Sequence, residues 1–232
     1  MTKEELYDTV QLNQIQIQFG YQLVHYFTSE KLSGLLERIV TLRIDTAKNT
    51  GLMLSPISIQ DNLSLGDDNY LIMIRGKVVA TGIVNTKKLL VLNSSEIKGD
   101  KTLDPVFNIP AVWILEEDRE DAMQRGLTVL SIETILITHL AEIIKNYSSK
   151  LHGRQDTQFL IEKLAISHPK VVEEVTPKYL TVGEITQILK FLLSKGVSIL
   201  DFLTIMETIG DSIYLTKDIN KLTEMVLSEL TS

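Results

Sequence analysis

The apolar residues of this chain change their spacing near Leu130, and this change limits the fold more than any other feature of the sequence. Before Leu130, short apolar runs between turn residues predict strands, beginning with the alternation of apolar and glutamine side chains over residues 14–22. After Leu130, the apolar residues recur at helical spacing. The sequence therefore predicts an α+β fold, in which small mixed α/β subdomains, one inserted in the other, are followed by a helical subdomain.

The first half contains one long helical pattern among the strands. It begins at Lys31, ends at Gly51 and has an apolar stripe that should pack on the sheet, formed by Leu32, Leu35, Leu36, Ile39, Val40 and Ala47. From Pro56 the pattern predicts a meander of short antiparallel strands. Further predictions are a loop at 99–110, an acidic helix at 116–124 and strands at 89–92, 111–115 and 127–130.

The second half is predicted to be helical. Ser131 can cap the first helix, which should end near Gly153, and Thr181 with Glu184 has the spacing of a capping box before a helix at 182–195. Further helices are predicted at 155–167, 199–209 and 218–230. The predicted division is a linker at 1–14, a first α+β subdomain at 15–87 and 131–151, an inserted subdomain at 88–130 and a helical subdomain at 152–232.

Composition excludes several classes of function. Asp and Glu total 30 against 23 Lys and Arg, and a net charge of −7 argues against a surface that neutralises nucleic-acid phosphates. The absence of cysteine excludes disulfides, thiolate metal sites and cysteine nucleophiles. The sequence lacks an apolar run of about 18 residues and an apolar signal segment at its amino terminus, so we expect a soluble chain that is not exported.

Motifs for catalysis or cofactor binding are missing as well. A phosphate-binding glycine loop does not occur, since Gly76-Lys77 is followed by Val78. The 4 histidines lie far apart, which favours neither a zinc site nor a general base. The acidic run 116–121 could hold a cation, but acidic residues at a helix start are favoured by the helix dipole. We therefore predict a protein without catalytic residues, metal or cofactor.

The segment from Asp104 to Pro110 does not resemble ordinary core. Its two prolines, Pro105 and Pro110, fix an extended loop that can hold Phe107 outward as an anchor for a helix of another protein. Alternatively, Phe107 fills the core of the inserted subdomain. The residue pattern alone leaves both interpretations open.

Several motifs along the whole chain resemble one protein family. They are Leu36-Glu37-Arg38-Ile39, Ile59-Gln60-Asp61-Asn62, Asp104-Pro105-Val106-Phe107, Pro110-Ala111-Val112-Trp113-Ile114, Thr138-His139-Leu140, Leu151-His152-Gly153-Arg154-Gln155 and Ile205-Met206-Glu207-Thr208. Together they are similar to the cytoplasmic part of the FHIPEP family, the export gates of flagella and of virulence-type injectisomes. The Asp-Pro-x-Phe and Gly-Arg-Gln segments resemble the flagellar branch more.

The chain departs from the family pattern in two respects. The family has a transmembrane region before this part and a fourth cytoplasmic subdomain after it, so we expect either an excised piece or a natural short homologue. Asn108 also stands where the family usually has glycine, although asparagine tolerates a left-handed backbone.

The resemblance implies a docking platform at the cytoplasmic face of the bacterial inner membrane, not an enzyme. In the family, this part forms a ring of nine subunits, contacts other export-apparatus proteins and receives flagellar export chaperones with their cargo. The positions matching Asp104, Phe107 and Thr138 line an apolar dimple that binds chaperones. In the family, the preceding linker contacts the neighbouring subunit. The resemblance therefore implies ring contacts for Tyr7, Val10 and Leu12.

Further expectations and two alternatives follow. Residues up to about Leu12 should be poorly ordered in an isolated subunit, and the chain without its membrane part should be mainly monomeric. One alternative is an injectisome export gate. The other is an unrecognised hydrolase, which a pocket gathering His139, His152 and several acids would favour.

Overall fold

A computed structural model describes residues 13–92 and 97–232 of the chain. These residues form two compact units. The first, here called the sheet unit, contains the described residues up to Leu42 and Ser55–Ile143. The second, the helical unit, contains Arg43–Leu54 and Ile144–Ser232. The finer subdomain limits predicted from the sequence stay a prediction.

The first sheet of the sheet unit has the strand order β2-β1-β3-β4. Its strands are β1 (Ile15–Phe19), β2 (Ser58–Asp61), β3 (Asn69–Ile74) and β4 (Lys77–Ile83). β3 pairs antiparallel with β1 and β4, whereas β2 pairs with β1 in parallel. The predicted antiparallel meander from Pro56 is therefore wrong for β2, because that strand pairs with β1 from far earlier in the chain.

The strand predicted over residues 14–22 is shorter than its alternation of side chains. β1 ends at Phe19, and a short helix, α1 (Tyr21–Tyr26), follows Gly20 directly. A Cβ atom at Gly20 would lie 2.1 Å from the carbonyl oxygen of Gly66, so a larger residue does not fit. This close approach of two backbone segments fixes where the strand gives way to the helix.

The second sheet has the order β6-β7-β5-β8 and is entirely antiparallel. Its strands are β5 (Leu89–Leu92), β6 (Asp100–Leu103), β7 (Pro110–Ile114) and β8 (Val129–Leu130). A 3₁₀ turn (Glu116–Asp118) and α3 (Arg119–Gln124) precede β8. The core between this sheet and α3 contains Leu89, Val91, Val112, Ile114 and Ala122. The prediction of a loop over 99–110 is wrong for β6, which pairs along β7 in spite of its polar side chains.

Two longer helices occur in this part of the sequence: α2 (Ser29–Thr50) precedes β2, and α4 (Ile132–Asn146) follows β8. On α2 the predicted apolar stripe divides, since Leu35 and Ile39 are buried but Leu36 and Val40 are 42% and 47% exposed. That part of the packing prediction is wrong, because the stripe is wider than the face that the protein covers. Ser131 Oγ accepts the Thr134 N–H at 3.3 Å and so caps α4 as predicted.

The helical unit contains six helices after α4. They are α5 (Ser148–Leu151), α6 (Arg154–Ser167), α7 (Pro169–Val175), α8 (Val182–Ser194), α9 (Phe202–Ser212) and α10 (Ile219–Thr231). α4 therefore ends before the predicted limit near Gly153, and α7 was not predicted. The predicted capping box is confirmed: Glu184 N–H donates to Thr181 Oγ1, and the Glu184 carboxylate accepts the Thr181 N–H at 2.7 Å.

α8 is the central helix of the helical unit. It packs against α5, α6 and α10. Its buried apolar residues are Ile185, Ile188, Leu189, Leu192 and Leu193. Truncating one such buried leucine or isoleucine to alanine typically costs about 2–5 kcal/mol. Within the ranges that the structure describes, no helix is long and apolar enough to cross a membrane.

Candidate protein-docking site

The loop from Asp104 to Ile109 closes the hairpin between β6 and β7. Leu103 pairs with Pro110 at the last register position of these strands. Inside the loop, Asp104 N–H donates to the Ile109 carbonyl at 2.8 Å and Asn108 N–H donates to the Asp104 carbonyl at 3.0 Å. Asn108 has φ 56°, a left-handed conformation that asparagine adopts more readily than most residues. The loop is therefore closed by its own backbone.

The side chain of Asp104 holds this loop from inside. Its carboxylate accepts the N–H of Val106 at 3.1 Å and that of Phe107 at 2.6 Å, and the residue is only 1% exposed. A buried carboxylate is stable here because charge-assisted hydrogen bonds compensate for its lost hydration. Asp104 thus accepts hydrogen bonds from its own loop, and its carboxylate is turned into the protein.

The side chain of Phe107 projects from the loop and is 54% exposed. The alternative interpretation, in which Phe107 fills the core of the inserted subdomain, is therefore wrong. Leu103, at the strand end that leads into the loop, is 56% exposed, although the sequence did not single it out. Two large apolar side chains thus stand in solvent at the ends of one short segment.

Thr138 lies on α4 and is partly buried. The next residue, His139, is buried and its Nδ1 lies 2.7 Å from the hydroxyl of the buried Tyr70 on β3. Burial lowers the pKa of His139, an effect that the negative charge of Asp104 opposes. Burial and the same negative charge raise the pKa of Tyr70. Of the three predicted site residues, Asp104 and Phe107 are joined by the hydrogen bond from the Phe107 N–H to the Asp104 carboxylate. Thr138 lies beside His139 on α4, in another part of the sheet unit's sequence.

The sequence did not predict Tyr70 as the hydrogen-bond partner of His139. In the pairing of β3 with β4 it stands opposite Gly82, and a Cβ atom at Gly82 would lie 2.3 Å from Tyr70 Cζ. The ring therefore lies across the glycine. A tyrosine in a strand of mainly apolar residues, followed by a glycine in the next strand, is the signal in the sequence that could have indicated this arrangement.

The remaining candidates have structural partners. His152 is buried, its Nε2 lies 2.9 Å from Thr157 Oγ1, and burial lowers its pKa. In the acidic run, Glu116 pairs with Arg119 at 2.8 Å. Among residues 13–92 and 97–232, no three or more histidine and acidic side chains are grouped to hold a metal ion. The predicted ring contacts Tyr7, Val10 and Leu12 lie outside the described residues.

A family model described as FHIPEP family matches residues 1–232. The chain belongs to this family, which confirms the predicted membership. It is 36% identical to the flagellar biosynthesis protein FlhA of Bacillus subtilis over 225 residues, which cover 95% of this chain and 33% of that protein. It is 38% identical to FlhA of Borreliella burgdorferi over 213 residues, which cover 90% of this chain and 30% of that protein. The chain thus spans about a third of the length of these relatives.

Solved structures share the fold. The Chlamydia pneumoniae CdsV protein superposes with a TM-score of 0.83 at 23% identity, over 93% of this chain and 64% of CdsV. The nonameric EPEC SctV-C assembly gives a TM-score of 0.70 at 17% identity, over 93% of this chain and 64% of that one. These similarities confirm the predicted α+β architecture.

Proposed function

We propose that this chain is the docking part of a flagellar type III protein export gate. It binds export chaperones loaded with cargo at the loop around Phe107, and the complete protein passes the cargo to the membrane channel at the cytoplasmic face of the bacterial inner membrane. Membership of the FHIPEP family and 30–38% identity to FlhA proteins support this function. The observation that carries the site is an aromatic side chain held in solvent by a buried carboxylate.

The roles of the three proposed site residues differ. Phe107 supplies the apolar surface that the partner covers, because exposed aromatic side chains are typical anchors at protein interfaces. Thr138 offers a hydroxyl group from α4. Asp104 acts indirectly, by fixing the backbone that carries Phe107. The occupant that suits this arrangement is an apolar helix face of a chaperone.

Calorimetric titration with a flagellar chaperone bound to its filament-type cargo tests this proposal. Phe107→Ala should weaken binding by about thirtyfold, which corresponds to about 2 kcal/mol for the loss of an anchor. Its melting temperature should stay close to that of the unchanged chain, since the side chain is 54% exposed. Phe159→Ala, at another exposed phenylalanine on α6, is the matched control and should bind normally. Unchanged affinity of the Phe107→Ala variant would show that the docking site does not lie in this loop.

The complete protein is further proposed to assemble into a ring, with Tyr7, Val10 and Leu12 against the neighbouring subunit. Nonameric assemblies of related domains, SctV-C and EscV, support this. We expect the isolated chain to be mainly monomeric in sedimentation experiments. Strong hydrogen-exchange protection of Tyr7 in a verified monomer would contradict the assigned ring contact.

Partners from the export apparatus and the absence of catalysis are also proposals. A complex of CdsV with CdsO is known for Chlamydia pneumoniae, and CdsV shares the fold of this chain at 22% identity. We expect the chain to bind proteins of the export apparatus and to perform no chemistry of its own. ATP hydrolysis by the purified chain that a single side-chain substitution abolishes would refute the second expectation.

The injectisome export gate is the second candidate function. The similar solved structures include the EscV cytosolic domain from the type III secretion system, at 17% identity, but the FlhA proteins reach 30–38%. The higher identity favours the flagellar system. Parallel pull-downs with flagellar and virulence chaperones separate the two, because only one set should be retained.

A further inference from the structure

The strand that leads into the docking loop, β6, is an edge strand. It pairs with β7 on one side, and within residues 13–92 and 97–232 no strand pairs with its other side. An open edge offers unpaired N–H and C=O groups, which can bind an extended segment of another chain. β6 also ends in Leu103, whose side chain is 56% exposed and directly precedes Asp104 of the loop. The open edge is therefore continuous with the proposed docking loop.

The hydrogen bonds of the loop show which residues of β6 face the open edge. Asp104 N–H donates to the Ile109 carbonyl at 2.8 Å, so the backbone groups of Asp104 point towards the returning strand. In an antiparallel pair this direction alternates from one residue to the next, and Thr102 therefore also points towards β7. Lys101 and Leu103 point the opposite way, to the open edge.

The other side of β7 gives the same alternation independently. Leu92 N–H on β5 donates to the Thr128 carbonyl at 3.2 Å, so its backbone groups point away from β7. Leu92 stands opposite Ala111, which therefore directs its own N–H and C=O groups to the other neighbour, β6. There Ala111 stands opposite Thr102, as the loop geometry requires.

The side chains at the open edge define what kind of segment fits. Lys101 and Leu103 are two positions apart, so their side chains lie on the same face of the sheet. Lys101 is exposed and forms no ion pair with any described residue, whereas the neighbouring Asp100 pairs with Lys88. The Leu103 carbonyl accepts only a long contact, at 3.4 Å, from the Thr102 hydroxyl. An acidic side chain opposite Lys101 and an apolar one opposite Leu103 would complement this edge.

We infer that an extended segment of the cargo adds to β6 as a further strand while the chaperone covers Phe107. Its backbone pairs with the N–H and C=O groups of Lys101 and Leu103, and its acidic and apolar side chains lie two positions apart. The cargo is the part of the complex that leaves the chaperone for the channel, so it presents extended backbone. Main-chain pairing depends little on sequence and therefore suits cargo proteins of different sequence. This inference rests on the proposed docking function, which it deepens.

Hydrogen exchange in the unchanged 232-residue chain tests the inference without any substitution. In the free chain, the amides of Lys101 and Leu103 should exchange fast and that of Thr102 slowly. A flagellar chaperone loaded with filament-type cargo should slow the Lys101 and Leu103 amides about tenfold or more, because they gain acceptors. Unchanged exchange of both amides in the complex would overturn the inference.

Calorimetric titration of Lys101→Pro gives a second measurement. Proline is tolerated on an edge strand where the N–H faces outward, so the variant should fold, and it should bind the loaded chaperone about tenfold more weakly. Thr81→Pro on β4 is the matched control and should bind normally. The bond from Val84 N–H to the Asp68 carbonyl places Thr81, by the same alternation, at the open edge of the first sheet.

Photo-crosslinking identifies the source of the added strand. A benzophenone side chain introduced at position 101 should label the cargo, and labelling of the chaperone alone would overturn the inference. An equal loss of binding in Thr81→Pro would attribute the effect to stability and overturn it as well. Normal binding of Lys101→Pro would do the same, even if Phe107→Ala weakens binding and so upholds the docking function. Unchanged binding of Phe107→Ala would overturn the docking function and this inference together.

Discussion

Replacing Asp104 should impair chaperone binding almost as much as removing Phe107, although Asp104 is buried and cannot touch a partner. In Asp104→Ala, the N–H groups of Val106 and Phe107 lose their common acceptor. Hydrogen bonds to a charged group contribute about 1.5–3 kcal/mol each, but two effects reduce the loss. Water can reach the freed N–H of the exposed Phe107, and the buried charge no longer has to be desolvated.

We therefore expect Asp104→Ala to lower the stability of the sheet unit by about 2 kcal/mol. In a chain of this length that corresponds to a melting temperature about 4–8 °C lower. The folded variant should bind the chaperone–cargo complex about tenfold to thirtyfold more weakly, because Phe107 no longer occupies one position. Asp104→Asn, which keeps one acceptor oxygen and loses the charge, should fall between the variant and the unchanged chain.

A double-substitution cycle decides whether Asp104 acts through Phe107. If it does, the chain with both Asp104→Ala and Phe107→Ala should bind no more weakly than Phe107→Ala alone, since the loop has lost the side chain that it positions. Calorimetric titration of the two single variants and the double variant at one temperature gives the coupling directly. Additive losses would refute the reasoning, because they would require a separate contact between Asp104 and the partner.

Three further predictions concern local structure and pH. Asn108→Val should lower stability by about 1–2 kcal/mol in thermal denaturation, because a β-branched residue resists φ 56°, whereas Asn108→Gly should not. Thr181→Ala should lower the stability of the helical unit by about 1 kcal/mol in urea denaturation, since it removes the hydroxyl that caps α8, and an unchanged midpoint would contradict the assigned cap. Burial lowers the pKa values of His139 and His152 in the folded chain. As the pH falls, these histidines therefore bind protons at a higher pH in the unfolded chain than in the folded chain. The free energy of unfolding should be full above about pH 6.5 and should fall as the pH is lowered below that value. Urea titrations at pH 7 and pH 5 measure this effect, and equal midpoints would contradict it.

Local signals in the sequence predicted the elements whose geometry depends on neighbouring residues. The capping box of Thr181 and Glu184 marked the start of α8 because both partners lie within one helical turn. β2 shows the opposite case. The spacing of residues after Pro56 predicts that this strand belongs to an antiparallel meander. Instead it pairs in parallel with β1, whose residues lie more than forty positions earlier. Spacing within a segment carries no information about such a partner.

Local sequence likewise predicts only those features of the candidate site that depend on neighbouring residues. The outward position of Phe107 and the left-handed Asn108 follow from a short loop, in which Asp104 accepts hydrogen bonds from the second and third residues after it. Aspartate commonly makes this turn, so its inward carboxylate could have been inferred from the Asp-Pro-x-Phe segment. The pair of Tyr70 and His139 could not, because it joins residues 69 positions apart.

The rigidity of the loop affects how much its exposed phenylalanine can contribute to binding affinity. An aromatic side chain on a flexible loop must lose conformational freedom when it docks, and that loss offsets part of the gain from covering its apolar surface. Here Pro105, the Asp104 carboxylate and the two backbone hydrogen bonds across the loop restrict the chain before any partner arrives. The free energy of covering Phe107 is therefore available mainly for binding. Substitutions that loosen the loop should weaken binding without altering any surface that a chaperone touches.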